Sequence, residues 1–379
     1  MTRAYQICSR CVMDTSDPEI VFDENGVCDH CRKFDEVTSK RWYPNEEGDR
    51  LWNGKLDEIK AEGKGRDYDC IIGLSGGVDS SYLALKAKDW GLRPLVVHVD
   101  AGWNSELAVS NIECIVKACN YDLHTIVIDW PEMRDLQIAF LKSGVANQDV
   151  PQDHAFFANL YEYATNNRVK YILSGGNIAT ESIFPASWHG DAMDAINLKA
   201  IYKLFGSRLL KRYRTISFLD YYFTYPFVHG MRTVRPLNFM PFSKEAAIAE
   251  LETTGWRPYG RKHGESRFTK LFQNHYLPEK FGFDKRRPHY ASLIVSGQMT
   301  RDEALQALAE PLYASADLAA DLEFFCKKLG ITEAQFNEYL REPNRDYSQF
   351  DNWDGRKRVL KSVQGFVTRV RGRNISVYS

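Results

Sequence analysis

Between residues 69 and 174 the chain alternates short apolar runs with segments of helical periodicity, and this alternation restricts the possible folds most strongly. Runs rich in β-branched residues predict strands at 69–74, 93–100, 123–129 and 169–174. The intervening segments that carry helical periodicity are 81–90, 105–120 and 154–167. Strands that alternate with helices form parallel sheets covered on both faces. We therefore predict an α/β fold with a doubly wound parallel sheet.

The remaining segments differ in composition and predict further modules. Four of the eight cysteines lie before residue 32, which predicts a small metal-binding module. The later chain is mainly helical, because Thr300 with Glu303 and Thr332 with Gln335 form two capping boxes. We divide the chain into a zinc-binding module at 1–38, a linker or leading helix at 39–68, the α/β domain at 69–245 with an aromatic insertion at 183–230, and a helical region at 246–379.

Composition excludes some classes of protein. Lys plus Arg is 49 and Asp plus Glu is 50, so the formal net charge is −1, which argues against a general nucleic-acid binder. No apolar run approaches the roughly 18 residues that a membrane span requires. The first residues lack the apolar stretch of a signal peptide. We expect a cytoplasmic protein whose cysteines are metal ligands or free thiols rather than disulfides.

Two Cys-x2-Cys pairs lie near the start of the chain. Cys8 and Cys11 form the first, Cys28 and Cys31 the second, and sixteen residues separate them. This spacing is typical of a tetrahedral zinc site, and four thiolates leave no open position for water. We therefore predict a structural Zn²⁺ that stabilises a segment too short to fold alone. A redox pair is the alternative, although one Cys-x2-Cys pair is enough for that chemistry.

The segment 75–81, SGGVDSS, follows a predicted strand and opens a predicted helix. Paired glycines at such a turn let backbone N–H groups approach an anion, and the helix N-terminus favours negative charge. A carboxylate beside phosphate requires a bridging cation, so Asp79 is a candidate Mg²⁺ ligand. The segment lacks the GxxxxGK[ST] pattern of a Walker A loop. The candidate ATP or pyrophosphate ligands here are Ser75, Gly76, Gly77, Val78, Asp79, Ser80 and Ser81.

SGGVDSS resembles the pyrophosphate loop of the PP-loop ATP pyrophosphatases, a superfamily with a HUP-like α/β fold. The resemblance implies that ATP is cleaved between its α- and β-phosphates and that the substrate is adenylated. It assigns catalytic roles to Ser75, Asp79 and a basic residue, for which Lys244 is the candidate. The segment 174–181 is similar to the second loop of NAD synthetase, which implies nucleotide contacts from Gly176 and Asn177 and a Mg²⁺ ligand in Glu181. Asp100, at the end of the second strand, is a candidate for reading the nucleoside or for a turn.

Five longer segments together resemble the N-acetyl sugar amidotransferases of bacterial surface-polysaccharide synthesis. They are 9–31, 98–105, 184–188, 262–290 and 297–305. The resemblance implies that an acetamido group on a nucleotide-linked sugar is adenylated on oxygen and converted by ammonia into an acetamidino group. AMP and pyrophosphate are then released. It places the reaction in lipopolysaccharide, O-antigen or related sugar synthesis.

A source of ammonia is required by this reaction. A glutaminase needs a nucleophilic Cys or Ser with a base in reach. The four cysteines outside the zinc module lie within predicted strands and helices, where small buried thiols are the simpler interpretation. We therefore expect a separate glutaminase similar to that of imidazole glycerol phosphate synthase, with a cyclase-like relative as a further partner.

The aromatic insertion and the segment 257–290 are candidates for binding the sugar nucleotide, because sugars stack on aromatic faces and basic side chains pair with diphosphate. Aromatic crowding is also typical of a core. The candidate substrate residues are Trp188, Arg212, Arg214, Lys262, His263, Glu265, Arg286 and Arg287, with Ser266 and Arg267 in the same pool.

Two other functions remain open. A tRNA-thiolating enzyme also combines cysteine modules with a PP-loop, but it generally needs catalytic cysteines or a basic RNA-binding surface. Cys114 and Cys119 on one predicted helix, together with the net charge of −1, support neither. A non-catalytic assembly module is the second alternative, and the intact SGGVDSS segment argues against it.

Overall fold

A five-stranded parallel sheet forms the centre of the described part of the chain. The computed structural model describes residues 3–259 and 264–371, with side chains to residue 363. The strands are β1 (Cys70–Gly73), β2 (Pro94–Asp100), β3 (Leu123–Val127), β4 (Tyr171–Leu173) and β5 (Arg232–Val234). They lie in the order β3-β2-β1-β4-β5, so the chain reverses direction across the sheet between β1 and β4. The predicted doubly wound sheet is confirmed, and its switch point is where open α/β sheets bind ligands.

Helices cover this sheet and form the C-terminal region. Those up to residue 205 are α1 (Asp29–Lys33), α2 (Glu46–Glu62), α3 (Val78–Asp89), α4 (Glu106–Cys119), α5 (Trp130–Ser143), α6 (Val150–Asn166), α7 (Ile178–Glu181) and α8 (Ala195–Phe205). The later ones are α9 (Lys244–Glu252), α10 (Arg267–Leu271), α11 (Leu277–Phe281), α12 (Arg286–Val295), α13 (Arg301–Ala309), α14 (Ser315–Leu329), α15 (Glu333–Arg341) and α16 (Asp354–Arg371). Three π-helical segments lie at Phe34–Thr38, Asp220–Val228 and Phe272–Tyr276.

Alternate residues of the strands bury the two faces of the sheet. On one face Ile71 and Val97 pack with residues of α6. On the other face Ile72 packs against α2, through Trp52 and Ile59. A strand buried on both sides has no polar alternation, which explains the continuous apolar runs in the sequence.

Some elements differ from the sequence prediction. The segment 39–68 is largely the helix α2, because Asn45 caps its start by accepting a hydrogen bond from the Gly48 N–H at 3.2 Å. Helix α5 was not predicted, although Asp129 caps it and Pro131 stands in its first turn. The run 231–239 also predicts a strand, but β5 covers only Arg232–Val234, because Pro236 begins a 3₁₀ turn. Both capping boxes are confirmed.

The aromatic insertion is largely core. Tyr213, Ile216 and Phe218 are buried within two of the hydrophobic clusters. The C-terminal region returns to the same core, since Trp353 is fully buried against Phe218, with ring centroids 5.5 Å apart. Within the described residues, no helix has the length and apolarity to cross a membrane.

Candidate functional site

The SGGVDSS loop connects β1 to α3 at the switch point of the sheet. Gly77 is the N-cap of α3 and no side chain caps this helix, so its first amide groups remain available to an anion. Ser75 is exposed, and its Oγ lies 3.0 Å from the Ser80 Oγ. The prediction that the Ser81 hydroxyl binds the nucleotide is wrong. This hydroxyl lies in the core at 0% exposure and cannot reach a nucleotide.

Long-range contacts fix the backbone of this loop. The Gly76 carbonyl accepts hydrogen bonds from Trp256 Nε1 and the Tyr259 hydroxyl, both at 2.9 Å. Gly76 has a φ of +82°, and a Cβ there would lie 2.6 Å from the Ala108 carbonyl oxygen. A Cβ on Gly77 would lie 3.2 Å from Glu265 Oε1. Glu265, a predicted substrate residue, therefore borders the loop directly.

The second loop, after β4, meets the first one at Asp79. Asn177 Nδ2 donates to Asp79 Oδ1 at 3.3 Å, and Asn177 Oδ1 caps α7 by accepting from the Thr180 N–H at 3.0 Å. Gly175 approaches the backbone of Asp79 so closely that a Cβ would lie 2.8 Å from its carbonyl carbon. The structure thus brings together Asp79 and Asn177, which are 98 positions apart in the chain.

Both loops open into a cleft of about 1060 Å³. The α/β domain contributes the ends of β1, β2 and β4 and one face of α6. The C-terminal region contributes the facing side chains, which are Glu265, Ser266, Thr269, Phe272, Gln273, Lys285, His289, Tyr347, Asp354 and Lys357. The cleft therefore lies between the SGGVDSS loop (75–81), which we call the phosphate loop after its predicted ligand, and the C-terminal region.

The predicted Mg²⁺ ligands suit this cation in their chemistry. Glu181 lines the cleft beside Gly176, and Asp79 stands in the first turn of α3. Mg²⁺ prefers oxygen ligands and retains several waters when phosphate supplies the rest of its shell. Within the described residues the only cluster of three or more metal-ligand side chains is that of the four cysteines, so the magnesium assignment stays a prediction.

Arg235 is a cationic side chain at the cleft that the sequence analysis did not name. It lines the cleft directly after β5, and a Cβ on Gly176 would lie 3.8 Å from its Nε. Lys244 is the first residue of α9, and its assignment to the phosphate stays a prediction.

Two roles were expected for Asp100, contact with the nucleoside or stabilisation of a turn, and the structure shows the turn. Its Oδ1 accepts hydrogen bonds from the Gly102 N–H at 2.7 Å and from Asn104 Nδ2 at 3.1 Å. The nearby His98 lines the cleft and was not predicted. Its Nδ1 lies 2.8 Å from the Leu74 carbonyl and its Nε2 lies 2.8 Å from Asn104 Nδ2, so His98 supports the residue that precedes the phosphate loop.

A second group of cleft residues, which we call the charged wall, consists of Asp149, Asp153, Phe184, His189 and Lys285. The Lys285 ammonium donates to His189 Nε2 at 2.9 Å and lies 4.2 Å from the centre of the Phe184 ring. The Phe184 ring stacks on His189 with centroids 3.5 Å apart and is still 53% exposed. An exposed aromatic face beside buried charges is a typical carbohydrate or base platform.

Burial shifts the pKa values of Asp153 and His189 in the charged wall. Burial and the neighbouring Asp149 raise the pKa of Asp153 to about 8, although Lys285 opposes the shift. Burial and Lys285 together hold the pKa of His189 well below its usual range, so this imidazole is neutral. Asp149 accepts from the Thr269 hydroxyl at 3.0 Å and from Gln152 Nε2 at 3.2 Å. A carboxyl group with a pKa near neutrality is suited to proton transfer.

Several predicted substrate residues lie elsewhere. Trp188 is fully buried and stacks on Phe283 at 4.5 Å, so it belongs to the core. Arg212 pairs with Asp129 and Arg214 pairs with Glu162, both outside the cleft lining.

Two more arginines from that pool hold protein groups. Arg286 donates to Asp284 and to backbone carbonyls, and Arg287 pairs with Asp14. Arg267 pairs with Asp321, while Ser266 lines the cleft. The predicted residues Lys262 and His263 lie outside the described residues.

The four cysteines of residues 1–38 form one buried cluster. Their Sγ atoms all lie within 4.8 Å of one another, and those of Cys11 and Cys28 are 3.7 Å apart. A tetrahedron with Zn–S distances of about 2.3 Å has edges of about 3.8 Å. Hydrogen bonds from Cys11, Cys28 and Cys31 lower the pKa of Cys8. The donor set therefore fits a structural Zn²⁺ ion.

The other cysteines do not line the cleft. Cys70, Cys119 and Cys326 are buried, and the Cys114 thiol contacts the Gly255 carbonyl at 3.5 Å. Burial raises the pKa of Cys119 and of Cys326 to about 11, so neither is a ready thiolate. These positions agree with the interpretation of small buried thiols.

Residues 265–364 match the family model described as LPS biosynthesis protein WbpG-like, C-terminal domain. No curated protein matches the chain by sequence. The matched segment contains the C-terminal residues named above as lining the cleft, from Glu265 to Lys357.

Solved structures with detectable similarity include three nucleotide synthetases. NMN synthetase from Francisella tularensis is 24% identical over 35% of this chain and 55% of its own length, with a TM-score of 0.28. NH3-dependent NAD synthetase from Campylobacter jejuni is 13% identical over 56% of this chain and 97% of its own, with a TM-score of 0.29. NAD+ synthetase from Burkholderia pseudomallei is 16% identical over 60% of this chain and 94% of its own length, with a TM-score of 0.29. The chain thus spans about half the length of the first of these.

Proposed function

Residues 265–364 match the model of the WbpG-like C-terminal domain of lipopolysaccharide biosynthesis, and on this basis we propose that the chain is an ATP-dependent amidotransferase. Its substrate is a nucleotide-linked sugar that carries an acetamido group, and its product carries an acetamidino group. The pathway is the synthesis of lipopolysaccharide or a related surface sugar.

One observation carries the proposal. The SGGVDSS loop and the family-matched C-terminal domain line the same cleft, with Ser75 on one part of its wall and Lys285 on another. Because the proposed ATP-cleaving loop and the sugar-pathway domain line one cleft, we infer that a nucleotide reacts there with a sugar derivative.

The phosphate side of the cleft binds the leaving pyrophosphate. Backbone N–H groups at the start of α3 and the hydroxyl of Ser75 donate to its oxygens, and Arg235 offsets its charge. Asp79 and Glu181 would hold Mg²⁺, which supplies further neutralisation of the phosphate charge. Preorganised donors of this kind stabilise the charge that develops in the transition state.

The chemistry overcomes a poor leaving group. The acetamido oxygen attacks the α-phosphorus of ATP, the bond to the β-phosphate breaks, and pyrophosphate leaves. The acetamido nitrogen loses its proton as the imidate forms. Ammonia then adds to the imidate carbon, the bond to AMP breaks, and the three protons of ammonia remain on the amidinium product. We assign the proton lost from the acetamido nitrogen to Asp153, whose pKa of about 8 suits its uptake and its later release to solvent.

The charged wall binds the sugar part of the substrate in this scheme. The exposed face of Phe184 stacks on a ring, and the carboxyl oxygens of Asp149 and Asp153 accept from sugar hydroxyls. A separate glutaminase, similar to that of imidazole glycerol phosphate synthase, delivers ammonia, with a cyclase-like relative as a second partner. The buried or cleft-remote positions of the described cysteines support an external source of ammonia.

The test combines the protein with ATP, Mg²⁺, ammonium and a panel of UDP- and CMP-linked acetamido sugars. AMP and pyrophosphate are quantified, and mass spectrometry detects replacement of the acetamido oxygen by NH. We expect one class of sugar to be converted in step with AMP formation.

Asp79→Ala should lower pyrophosphate release by about a hundredfold or more, since it removes a ligand for the departing charge. Asp89→Ala is the matched control, because Asp89 lies at the other end of α3 and pairs on the surface with Lys86. Full activity of Asp79→Ala would remove the magnesium assignment. AMP formation that responds to tRNA and a sulfur donor, but to no sugar, would replace the proposal with RNA thiolation.

A further inference from the structure

The four-cysteine module, residues 3–38 of the described chain, contacts through Asp17 the turn that carries Phe184 and His189 of the charged wall. The Asp17 side chain is 1% exposed. Its Oδ2 lies 2.7 Å from His30 Nε2, which belongs to the second cysteine knuckle. Its Oδ1 accepts a hydrogen bond from the Ser187 hydroxyl at 2.8 Å. Asp17 therefore joins the metal-binding module to a residue 170 positions away.

Ser187 stands in the turn that carries two residues of the charged wall. The turn is the 3₁₀ segment Ala186–Trp188, with Phe184 before it and His189 after it. Trp188 anchors one side of the turn in the core. The Ser187 hydroxyl donates to Asp17, so the module contributes to the orientation of the turn toward the cleft.

A second contact reaches the wall from helix α12. Arg287 Nε pairs with Asp14 Oδ2 at 3.0 Å, and its Nη1 donates to the Val12 carbonyl at 2.8 Å. Arg287 lies between Lys285 and His289, and both of these line the cleft. The module is thus held at the two chain segments that supply Phe184, His189 and Lys285.

The phosphate loop is supported from elsewhere. Its carbonyl at Gly76 is held by Trp256 and Tyr259, and Asp79 contacts Asn177. These three contacts all come from residues outside 3–38. Damage to the module should therefore reach one wall of the cleft and spare the other.

We propose that Asp17 is a positioning residue through which the four-cysteine module sets the geometry of the charged wall. The module serves the sugar side of the cleft and not the phosphate side. The assignment of this wall to the sugar rests on the proposed function, whereas the mechanical coupling does not.

Hydrogen exchange of the purified protein tests the coupling without any substrate. The variants are Asp17→Asn and Ser187→Ala, with Ser187→Thr retaining the hydroxyl. Asp23→Asn is the matched control, because Asp23 lies in the same module and its carboxylate accepts from backbone N–H groups of its own turn, at Asn25 and Val27.

We expect exchange in peptides covering 183–190 to rise about tenfold in Asp17→Asn and Ser187→Ala, while peptides covering 74–81 stay unchanged. Ser187→Thr and Asp23→Asn should match the wild type. Zinc content, measured by atomic absorption, should stay at about one per chain in Ser187→Ala, which leaves the module intact. Unchanged exchange at 183–190 in Ser187→Ala would overturn the proposal, and so would an equal rise at 74–81.

Kinetics then connect the coupling to the sugar. With an acceptor found in the sugar panel, Ser187→Ala should raise the KM for the sugar about tenfold and leave the KM for ATP within about twofold. An equal change in both constants would overturn the assignment to the sugar side. If no sugar is converted by the wild type, the proposed function fails while the exchange result still decides the coupling.

Discussion

Gly175 allows the two loops of the phosphate site to meet, and its replacement by alanine separates them. The ideal Cβ would lie 2.8 Å from the Asp79 carbonyl carbon, 2.9 Å from its oxygen and 3.0 Å from the Ser80 nitrogen. All three are backbone atoms, so no side-chain rotation relieves the overlap. Ordinary contact begins near 3.4 Å, and the loops must therefore part by about half an ångström.

Overpacking of this kind costs about 1–3 kcal/mol. The Asn177–Asp79 hydrogen bond, already 3.3 Å long, would break as the loops move apart. We expect Gly175→Ala to unfold at lower urea concentration and to bind ATP about tenfold or more weakly, since about 1.4 kcal/mol corresponds to a factor of ten. Equilibrium urea unfolding and isothermal titration with ATP measure the two effects.

Gly176→Ala is the control in the same loop. The nearest atom to its Cβ is the Ser174 Oγ at 3.4 Å, and its φ is not in the left-handed region. This variant should differ from the wild type by less than about 1 kcal/mol. Wild-type ATP affinity and stability in Gly175→Ala, or equal losses in both variants, would refute the argument from close backbone approach.

Three further outcomes follow from the same structure. Cys28→Ser should lose the single zinc and unfold at lower temperature, as metal analysis and calorimetry would show; a metal-free wild type of the same stability would contradict this. His154 is buried, donates to the Ala192 carbonyl and accepts from the Ile216 N–H, and burial lowers its pKa to about 4. Because the pKa of His154 is lower in the folded than in the unfolded protein (about 6.5), the neutral imidazole stabilises the fold fully above pH 6.5, and the free energy of unfolding falls by up to about 3 kcal/mol towards pH 4. Urea unfolding should therefore depend less on acid in His154→Gln than in the wild type. Asp153 should change the stability with pH in the opposite direction. Its pKa of about 8 in the folded protein exceeds its unfolded value, so the free energy of unfolding falls as the pH rises through 8. Asp153→Asn should be more stable than the wild type near pH 9, by at least about 1 kcal/mol, and the difference should vanish in acid.

Local patterns predicted several parts of this molecule correctly. The four cysteines, the strand–glycine–helix segment at 69–81 and the capping boxes at Thr300 and Thr332 all appear where the sequence indicated. In each case the determining residues are close along the chain. Knuckle geometry, turn conformation and helix caps depend on backbone dihedrals and hydrogen bonds within a few residues, so the sequence carries them directly.

The walls of the cleft were harder to predict. Arg235 lines the cleft without having been predicted, Trp188 is core, and Arg286 and Arg287 hold other protein groups. Asp149, Asp153 and Lys285 were not singled out at all. A Trp or Arg in the sequence is equally compatible with a core, a surface pair or a binding wall, because its type fixes chemistry but not direction.

The sequence by itself determined the class of sheet, the four-cysteine cluster and the glycine turn between β1 and α3. Only the tertiary structure decided which side chains line the proposed nucleotide and sugar sites, and that the cysteine module contacts the turn beside the charged wall through Asp17 and Ser187. The physical reason is the range of the interactions involved. Ligand spacing and turns are local, whereas a cleft wall is formed by packing between segments more than a hundred residues apart, and burial there decides both the direction and the pKa of each side chain.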